Sequence, residues 1–362
     1  MNVAAIGVGG AGGRLLNQLV RRNGIGSGSP ISSAFAVDTD QESLASLGAV
    51  PAENRHAIGQ FETDGEGTDG DRELGQSIVE NQRLELRRTV EDGIRTTVDA
   101  IVLLAGLGGG TGSVVTPSIA ADLDEVFEQP VYTVSVLPTV AETDLQVRTN
   151  TASALADLDE AVAGQITMDN EAWLWGSRTL ESHGEAINRE FASRLAELLT
   201  IGQGGGTSEV GQQVVDASDV MGTIGGGGVA TIGYASTPLS KWREGGSSVL
   251  GSLKRRLAGE QTDPHRQEQA IARTLEWATR GTLTFDCPAN SARRGLVAFS
   301  GPPEWLRADA IARGRDWLAN RIGTAELRSG DDPVAGGSSV GVLVVLAGIT
   351  GTERLREFDI DE

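Results

Sequence analysis

Lysine is almost missing from this sequence: Lys241 and Lys254 are the only two, and arginine supplies the remaining basic residues. The first consequence is an exclusion, since a Walker-type phosphate loop needs a lysine beside its Ser/Thr and none precedes position 241. Positive charge of any kind is short, with 30 Lys plus Arg against 50 Asp plus Glu and a formal charge of -20. Nucleic acid is therefore excluded as a partner, because phosphate contacts need clustered cations. Cys287 is the single cysteine, so no internal disulfide forms, and the 3 histidines offer no zinc-ligand spacing. The longest apolar run, at 340–349, is too short for a bilayer, and no basic leader precedes the strand-like opening at 2–8. Together these predict a cytoplasmic protein without an integral membrane segment.

The same carboxylate-rich, lysine-poor balance reads as halophilic. In about 1 M salt the Debye length is about 3 Å, so like charges repel little while carboxylates hold water and cations. At 362 residues the chain is long enough for two cores, since single cores seldom exceed about 250 residues. Strand-like runs at 2–8, 31–38, 99–107, 130–137 and 165–168 alternate with amphipathic stretches at 12–22, 72–93 and 116–127. That alternation predicts a parallel sheet covered by helices. A longer helical pattern at 178–201 ends at the breaker Gly202-Gln203-Gly204-Gly205-Gly206 and is read as a connecting helix. Beyond it, strand runs at 229–235, 281–286, 294–300 and 339–346, with helical patterns at 251–258, 267–280 and 304–321, predict a smaller α+β domain. Disorder is expected at 202–213, around 330–337 and in the last few residues.

Two glycine clusters carry the chemistry. Gly7-Val8-Gly9-Gly10-Ala11-Gly12-Gly13 ends the first strand and opens a helix, so backbone N–H groups can face a phosphate. Asp38, at the end of the second strand, is also where a dinucleotide site wants an acid, so this first stretch leaves NAD and GTP both open. Leu107-Gly108-Gly109-Gly110-Thr111-Gly112-Ser113 decides between them: a dehydrogenase has no use for a second glycine-rich strand-to-helix turn. Three glycines let backbone approach an anion, Thr111 and Ser113 offer hydroxyls, and two such nests suit a triphosphate.

GGGTGS, the AxGxGGAGG opening, Gly65-Glu66-Gly67-Thr68-Asp69-Gly70 and Val215-Asp216-Ala217-Ser218-Asp219-Val220 resemble, in order, the signatures of the tubulin and FtsZ superfamily. NRHAIGQ, GDRELGQ, MDNEAW and EAINRE resemble its archaeal CetZ branch. The resemblance implies an α/β chain with the tubulin/FtsZ fold. It would have a Rossmann-like parallel-sheet GTPase domain at 1–177, a connecting helix at 178–203 and a C-terminal α+β domain at 204–362.

It implies GTP and GDP as ligands, with Mg²⁺ in a potassium-rich medium. The nucleotide would be held by Gly9, Gly10, Ala11, Arg14, Gly67 and the string Gly108, Gly109, Gly110, Thr111, Gly112, Ser113. Asn170 and Asn188 would read guanine with their amides; without the resemblance they read as caps or surface residues. Glu142 would accept from the ribose, Asp38 would also bind the nucleotide, and Asp38 and Asp40 would lie near the metal and phosphates. Asp216 and Asp219 are implied to act in trans, orienting water against the γ-phosphate of a neighbouring copy. The partners implied are further copies of the chain, head to tail, and paralogous tubulin-like proteins. The chain departs from the family pattern at Arg14, Val114 and Val214. It also stops soon after Leu355 without the linker of bacterial FtsZ, which favours cell-shape control over ring-based division. Two rivals are a GTP-binding paralogue that does not hydrolyse and a nucleotide-dependent oxidoreductase.

Overall fold

The computed structural model describes residues 1–94, 97–201, 214–243, 264–324 and 326–358. Its ten strands are β1 (Val3–Val8), β2 (Ile31–Asp38), β3 (Arg55–Ala57), β4 (Ala100–Gly106), β5 (Val131–Leu137), β6 (Gly164–Asp169), β7 (Val229–Pro238), β8 (Arg294–Gly301), β9 (Leu327–Pro333) and β10 (Ser339–Ile349). They form one sheet ordered β3-β2-β1-β4-β5-β6-β7-β10-β8-β9. Strands β1 to β6 are parallel, in the 3-2-1-4-5-6 order of a doubly wound nucleotide-binding sheet. β6 meets β7 through Gln165↔Val229 and Ile166↔Ala230 only, and β10 runs antiparallel to both β7 and β8.

Every residue of β1, β2, β5 and β6 is buried, as expected of strands covered on both faces. Alternation sorts their side chains: Ala4, Ile6 and Val8 enter the core on one face, Val3 and Ala5 that on the other. The first face carries α4 (Arg72–Gly93), α5 (Gly110–Val126) and α6 (Leu145–Ala161); the second carries α1 (Gly9–Asn23), α2 (Gln41–Ala45), α7 (Leu180–Thr200) and α8 (Ala217–Ile224), with α3 (Gln60–Thr63) in the loop before α4. Both cores continue past β7, through Phe299 and Val344 on one side and Leu296 and Val345 on the other.

Several sequence expectations need correction. The helices predicted at 12–22 and 116–127 begin at Gly9 and Gly110, because the glycine strings themselves form the first turns and their low propensity conceals the start. The strand expected at 281–286 makes only an isolated bridge, Gly233↔Leu283. Beside backbone bonds from Thr284 N–H to Ile232 O and from Asp169 N–H to Thr284 O, threonine hydroxyls hold it to β7: Phe285 N–H donates to Thr231 Oγ1 at 2.9 Å, and Thr284 Oγ1 accepts from Ile232 N–H at 3.1 Å. Part of the segment expected to be disordered, around 330–337, is strand β9, paired in parallel with β8 as far as Gly301↔Pro333. The expectations at 202–213 and 251–258 fall outside the described residues.

Candidate functional site

A cleft of about 1560 Å³ opens at the carboxyl ends of β1, β2, β4, β5 and β6. This edge, where strand order reverses between β1 and β4, is where open α/β sheets bind ligands. Gly9, Gly10, Ala11, Arg14, Asp38, Asp40, Gly67, Gly108, Gly109, Gly110, Thr111, Gly112, Glu142, Asn170 and Asn188 all line it.

The two helices aimed at the cleft differ from those around them in how they begin. Side chains cap α2, α4, α6, α7 and α8, through Asp40, Asp71, Asp144, Thr179 and Asp216. Helices α1 and α5 have Val8 and Gly109 in the capping position, with no side-chain cap and no acid in the first turn. Their leading amides and positive dipole ends are left for an anion. Close packing explains the glycines: a Cβ on Gly12 would stand 1.9 Å from the Leu104 carbonyl oxygen, and one on Gly112 2.3 Å from that of Gly106. At Gly109 a Cβ would meet no protein atom within 4 Å, so this position faces open cleft.

Thr111 joins three loops. Its hydroxyl lies 2.7 Å from Thr39 Oγ1 and 3.3 Å from Thr68 Oγ1, tying the string to the ends of the β2 loop and the 64–71 loop. In that last loop Asp64, Gly65, Gly67, Asp69 and Gly70 all have positive φ, a conformation glycine accepts easily and other residues seldom. Thr39 gave no sequence signal, because lone threonines in turns are commonplace, whereas Thr68 stood within the Gly65–Gly70 motif without a role of its own.

Of the remaining candidate residues, all but Ser113, Asp216 and Asp219 border the cleft. Ser113 does not reach the cleft: it is fully buried, its hydroxyl turned to the Gly110 carbonyl oxygen at 3.4 Å and its amide to that of Gly109. Asp38 is 4% exposed, its carboxyl pushed up by burial and partly held back by the amides of Asp40 and Thr39. Asp40 caps α2 through Ser43 N–H at 3.0 Å. Glu142 closes a capping box with Thr139, whose amide and hydroxyl each donate to Oε2 at 2.9 Å. Asn170 is 9% exposed and caps nothing, while Asn188 looks across from α7. Arg14, whose guanidinium lies over Gly10, makes no ion pair among the described residues.

Asp216 and Asp219 lie elsewhere. They cap α8 reciprocally, Asp219 N–H donating to Asp216 Oδ1 at 3.0 Å and Asp216 N–H to Asp219 Oδ2 at 3.3 Å. The Ser218 hydroxyl and then the Asp219 amide hold the Asp216 carboxyl below the usual carboxylate range. Asp219 also faces Arg328, with Nε at 3.6 Å. Helix α8 sits at the amino ends of the strands: Tyr132 OH donates to Met221 O at 3.4 Å, and a Cβ on Gly164, the first residue of β6, would stand 2.7 Å from Ile224 O. The length of β6, 6 residues or on the order of 20 Å, separates the two edges. Helix α7 bridges them, lining the cleft with Leu180, Gly184 and Asn188 and accepting the Met1 amine at Leu199 O, 2.8 Å.

The cleft is acidic, lined by Glu42, Glu66, Asp69, Asp144, Glu181 and Glu185 against Arg14 and Arg21. No group of three or more His, Cys, Asp or Glu side chains could hold a metal among the described residues. An Mg²⁺ fits here in the manner usual for that ion, one or two carboxylates plus phosphate oxygens of the ligand, with Asp38, Asp40 and Asp69 the acids at hand.

Comparison with known proteins defines first the class: residues 2–177 match the Tubulin/FtsZ family, GTPase domain, whose fold this sheet order and cleft share. Residues 177–361 match the tubulin-like CetZ C-terminal domain, and the chain belongs to the tubulin-like CetZ family. Tubulin-like protein CetZ5 of Haloferax volcanii is 36% identical over 359 residues, 99% of this chain and 90% of that one. Among solved structures, the GDP-bound monomer of Haloferax volcanii CetZ1 superposes with a TM-score of 0.82 at 30% identity, covering 99% of this chain and 97% of that one. The GTPγS-bound protofilament of CetZ2 from the same organism also gives 0.82, at 28% identity, over 99% and 96%.

Proposed function

We infer that this chain binds GTP and GDP in the cleft and assembles head to tail, each copy presenting Asp216 and Asp219 to the nucleotide of the next. One observation carries the reading: the cleft and the acid pair occupy opposite edges of one parallel sheet, so no copy can bring its own carboxylates to its own ligand. A contact between unlike edges is heterologous, and without closure it repeats into a filament. The GDP-bound and GTPγS-bound structures of CetZ1 and CetZ2 support guanine nucleotide as the ligand.

The amides opening α1 and α5 face the phosphates, and Thr111 holds the 64–71 loop beside them. Asn170 and Asn188 hold the base, and the 138–144 loop borders the ribose. When bound, Mg²⁺ offsets phosphate charge that the acidic lining would otherwise repel, and potassium-rich surroundings lessen the same repulsion. Asp216 and Asp219 then orient a water on the adjoining copy's terminal phosphate. Control of cell shape is the cellular role proposed for these filaments, and paralogous tubulin-like chains are candidate co-assembly partners.

The reciprocal cap at Asp216 and Asp219 supports a second reading, in which both acids are structural and the chain is a non-hydrolysing partner of a sister protein. Turnover in molar KCl distinguishes the two. Turnover per copy rising steeply with protein concentration, together with pelleting in GTP but not GDP, is the expected result. Tight GTP binding with no turnover at any concentration would select the second reading.

A further inference from the structure

The wall of the cleft that borders base and ribose is held from behind by a residue far along the chain. In the short helix Glu353–Arg356, Arg354 directs its guanidinium toward the carboxyl end of β6. Nε donates to Asp169 Oδ2 at 2.9 Å and Nη2 to Asp169 Oδ1 at 3.0 Å, the two-pronged geometry in which arginine grips a carboxylate best. Nη2 also donates to the Pro138 carbonyl, and Nη1 to Glu357. The arginine side chain is 12% exposed and that of Asp169 5%; Phe358, 1% exposed, lies 4.9 Å below the guanidinium carbon.

Both residues gripped adjoin the ligand wall. Asp169 directly precedes Asn170, and its Oδ1 also accepts from Glu171 N–H at 3.1 Å; Glu171 in turn accepts from Val140 N–H at 2.9 Å. Pro138 lines the cleft at the start of the segment carrying Glu142. Two loops from different strands are thus tied into one unit, directly by the Val140–Glu171 bond and from behind by one guanidinium that reaches both Asp169 and the Pro138 carbonyl. We propose that Arg354 is a positioning residue for nucleoside recognition: by joining Asp169 to the Pro138 carbonyl, it sets the direction of the Asn170 amide and its distance from the ribose loop. The inference rests on the cleft being the guanine-nucleotide site. It assigns a task in ligand discrimination to the C-terminal end of the described chain.

Arg354→Lys tests it on the full-length protein, because lysine keeps the charge beside buried Asp169 but cannot make the fork and the carbonyl bond together. Binding of fluorescent mant-GTP is measured, with ITP and inorganic tripolyphosphate as competitors. ITP lacks the exocyclic amino group of guanine, and tripolyphosphate reports the phosphate seat alone. The expected result is a roughly tenfold weaker Kd for GTP, a preference for GTP over ITP reduced by about threefold or more, and tripolyphosphate unchanged. An unaltered preference overturns the proposal, as does equal weakening for all three ligands, which would make Arg354 a strut only. Failure of the parent chain to bind mant-GTP would sink the reading of the cleft itself and take this inference with it. Should Arg354→Lys not fold, hydrogen exchange on the parent chain decides. Saturating GTP is expected to slow exchange of the amides at 352–358 relative to the ligand-free protein, and no change there overturns the proposal.

Discussion

Changing Asp219 to asparagine is expected to slow GTP turnover by roughly 10² or more while leaving GTP affinity within about twofold of the parent. The size follows from removing a group that orients and deprotonates water. The unchanged affinity follows from distance, since Asp219 lies at the sheet edge opposite the cleft. Asparagine is the informative replacement because its amide oxygen can still accept the 3.3 Å bond from Asp216 N–H, keeping the start of α8 intact. The lost ion pair with Arg328 is partly exposed and costs at most about 1 kcal/mol. A shared site makes a further demand. Mixed with a variant that cannot hold nucleotide but keeps both acids, Asp219→Asn should regain part of its turnover. Steady-state phosphate release from each variant and from the mixture measures this. No recovery in filaments shown to contain both chains would rule out catalysis between copies.

The second large effect separates two neighbours in one glycine string. Gly112→Ala should unfold the protein at markedly lower denaturant, because its methyl would meet the Gly106 carbonyl oxygen at 2.3 Å. Overpacking usually costs about 1–3 kcal/mol, and an obstructing backbone atom, unlike a side-chain end, cannot step aside, so the cost here belongs at the top of that range or beyond. Gly109→Ala should behave oppositely. Its φ of -85° and ψ of 164° are ordinary for alanine, and its methyl would meet no protein atom within 4 Å. Stability should therefore hold while GTP binding weakens by about tenfold or more, the methyl occupying space meant for phosphate. Urea midpoints set beside nucleotide titrations for the two variants check both halves. Equal loss of affinity without loss of stability in both would show that the string does not pack as described.

Much of this was legible beforehand, because the signals were local. β2 and α4 occupy 31–38 and 72–93 as read, since one is an unbroken buried run and the other an amphipathic stretch behind an aspartate cap. The glycine clusters were conspicuous because close helix-to-strand contact leaves no room for another residue. Where pattern and pairing part company, the sequence misleads. Thr284 and Phe285 are as buried as any strand, yet threonine hydroxyls take part of the pairing a strand would make, Phe285 N–H going to Thr231 Oγ1 and Ile232 N–H to Thr284 Oγ1, which hydrophobicity does not register. β9 reads as a loop because Gly330, Asp331, Asp332 and Pro333 suit the edge of a sheet, where partners are needed on one side only. α6 escaped notice because its buried face includes Asn150, Thr151 and Ala154, and only Leu158 is large and apolar. Ser113 carries the family string but spends its hydroxyl inside the helix. The grip of Arg354 on Asp169 spans 185 positions, beyond the reach of any local pattern.

The contacts at Gly12 and Gly112 also constrain time. With helix backbone already touching the carbonyls of Leu104 and Gly106, α1 and α5 have no slack to shift aside for a ligand entering or leaving. Whatever loosening release requires must come from the surrounding segments at 64–71, 138–144 and 169–173. How long a nucleotide stays is then governed by parts of the chain other than those that grip its phosphates, and residence time can be tuned without disturbing the seat.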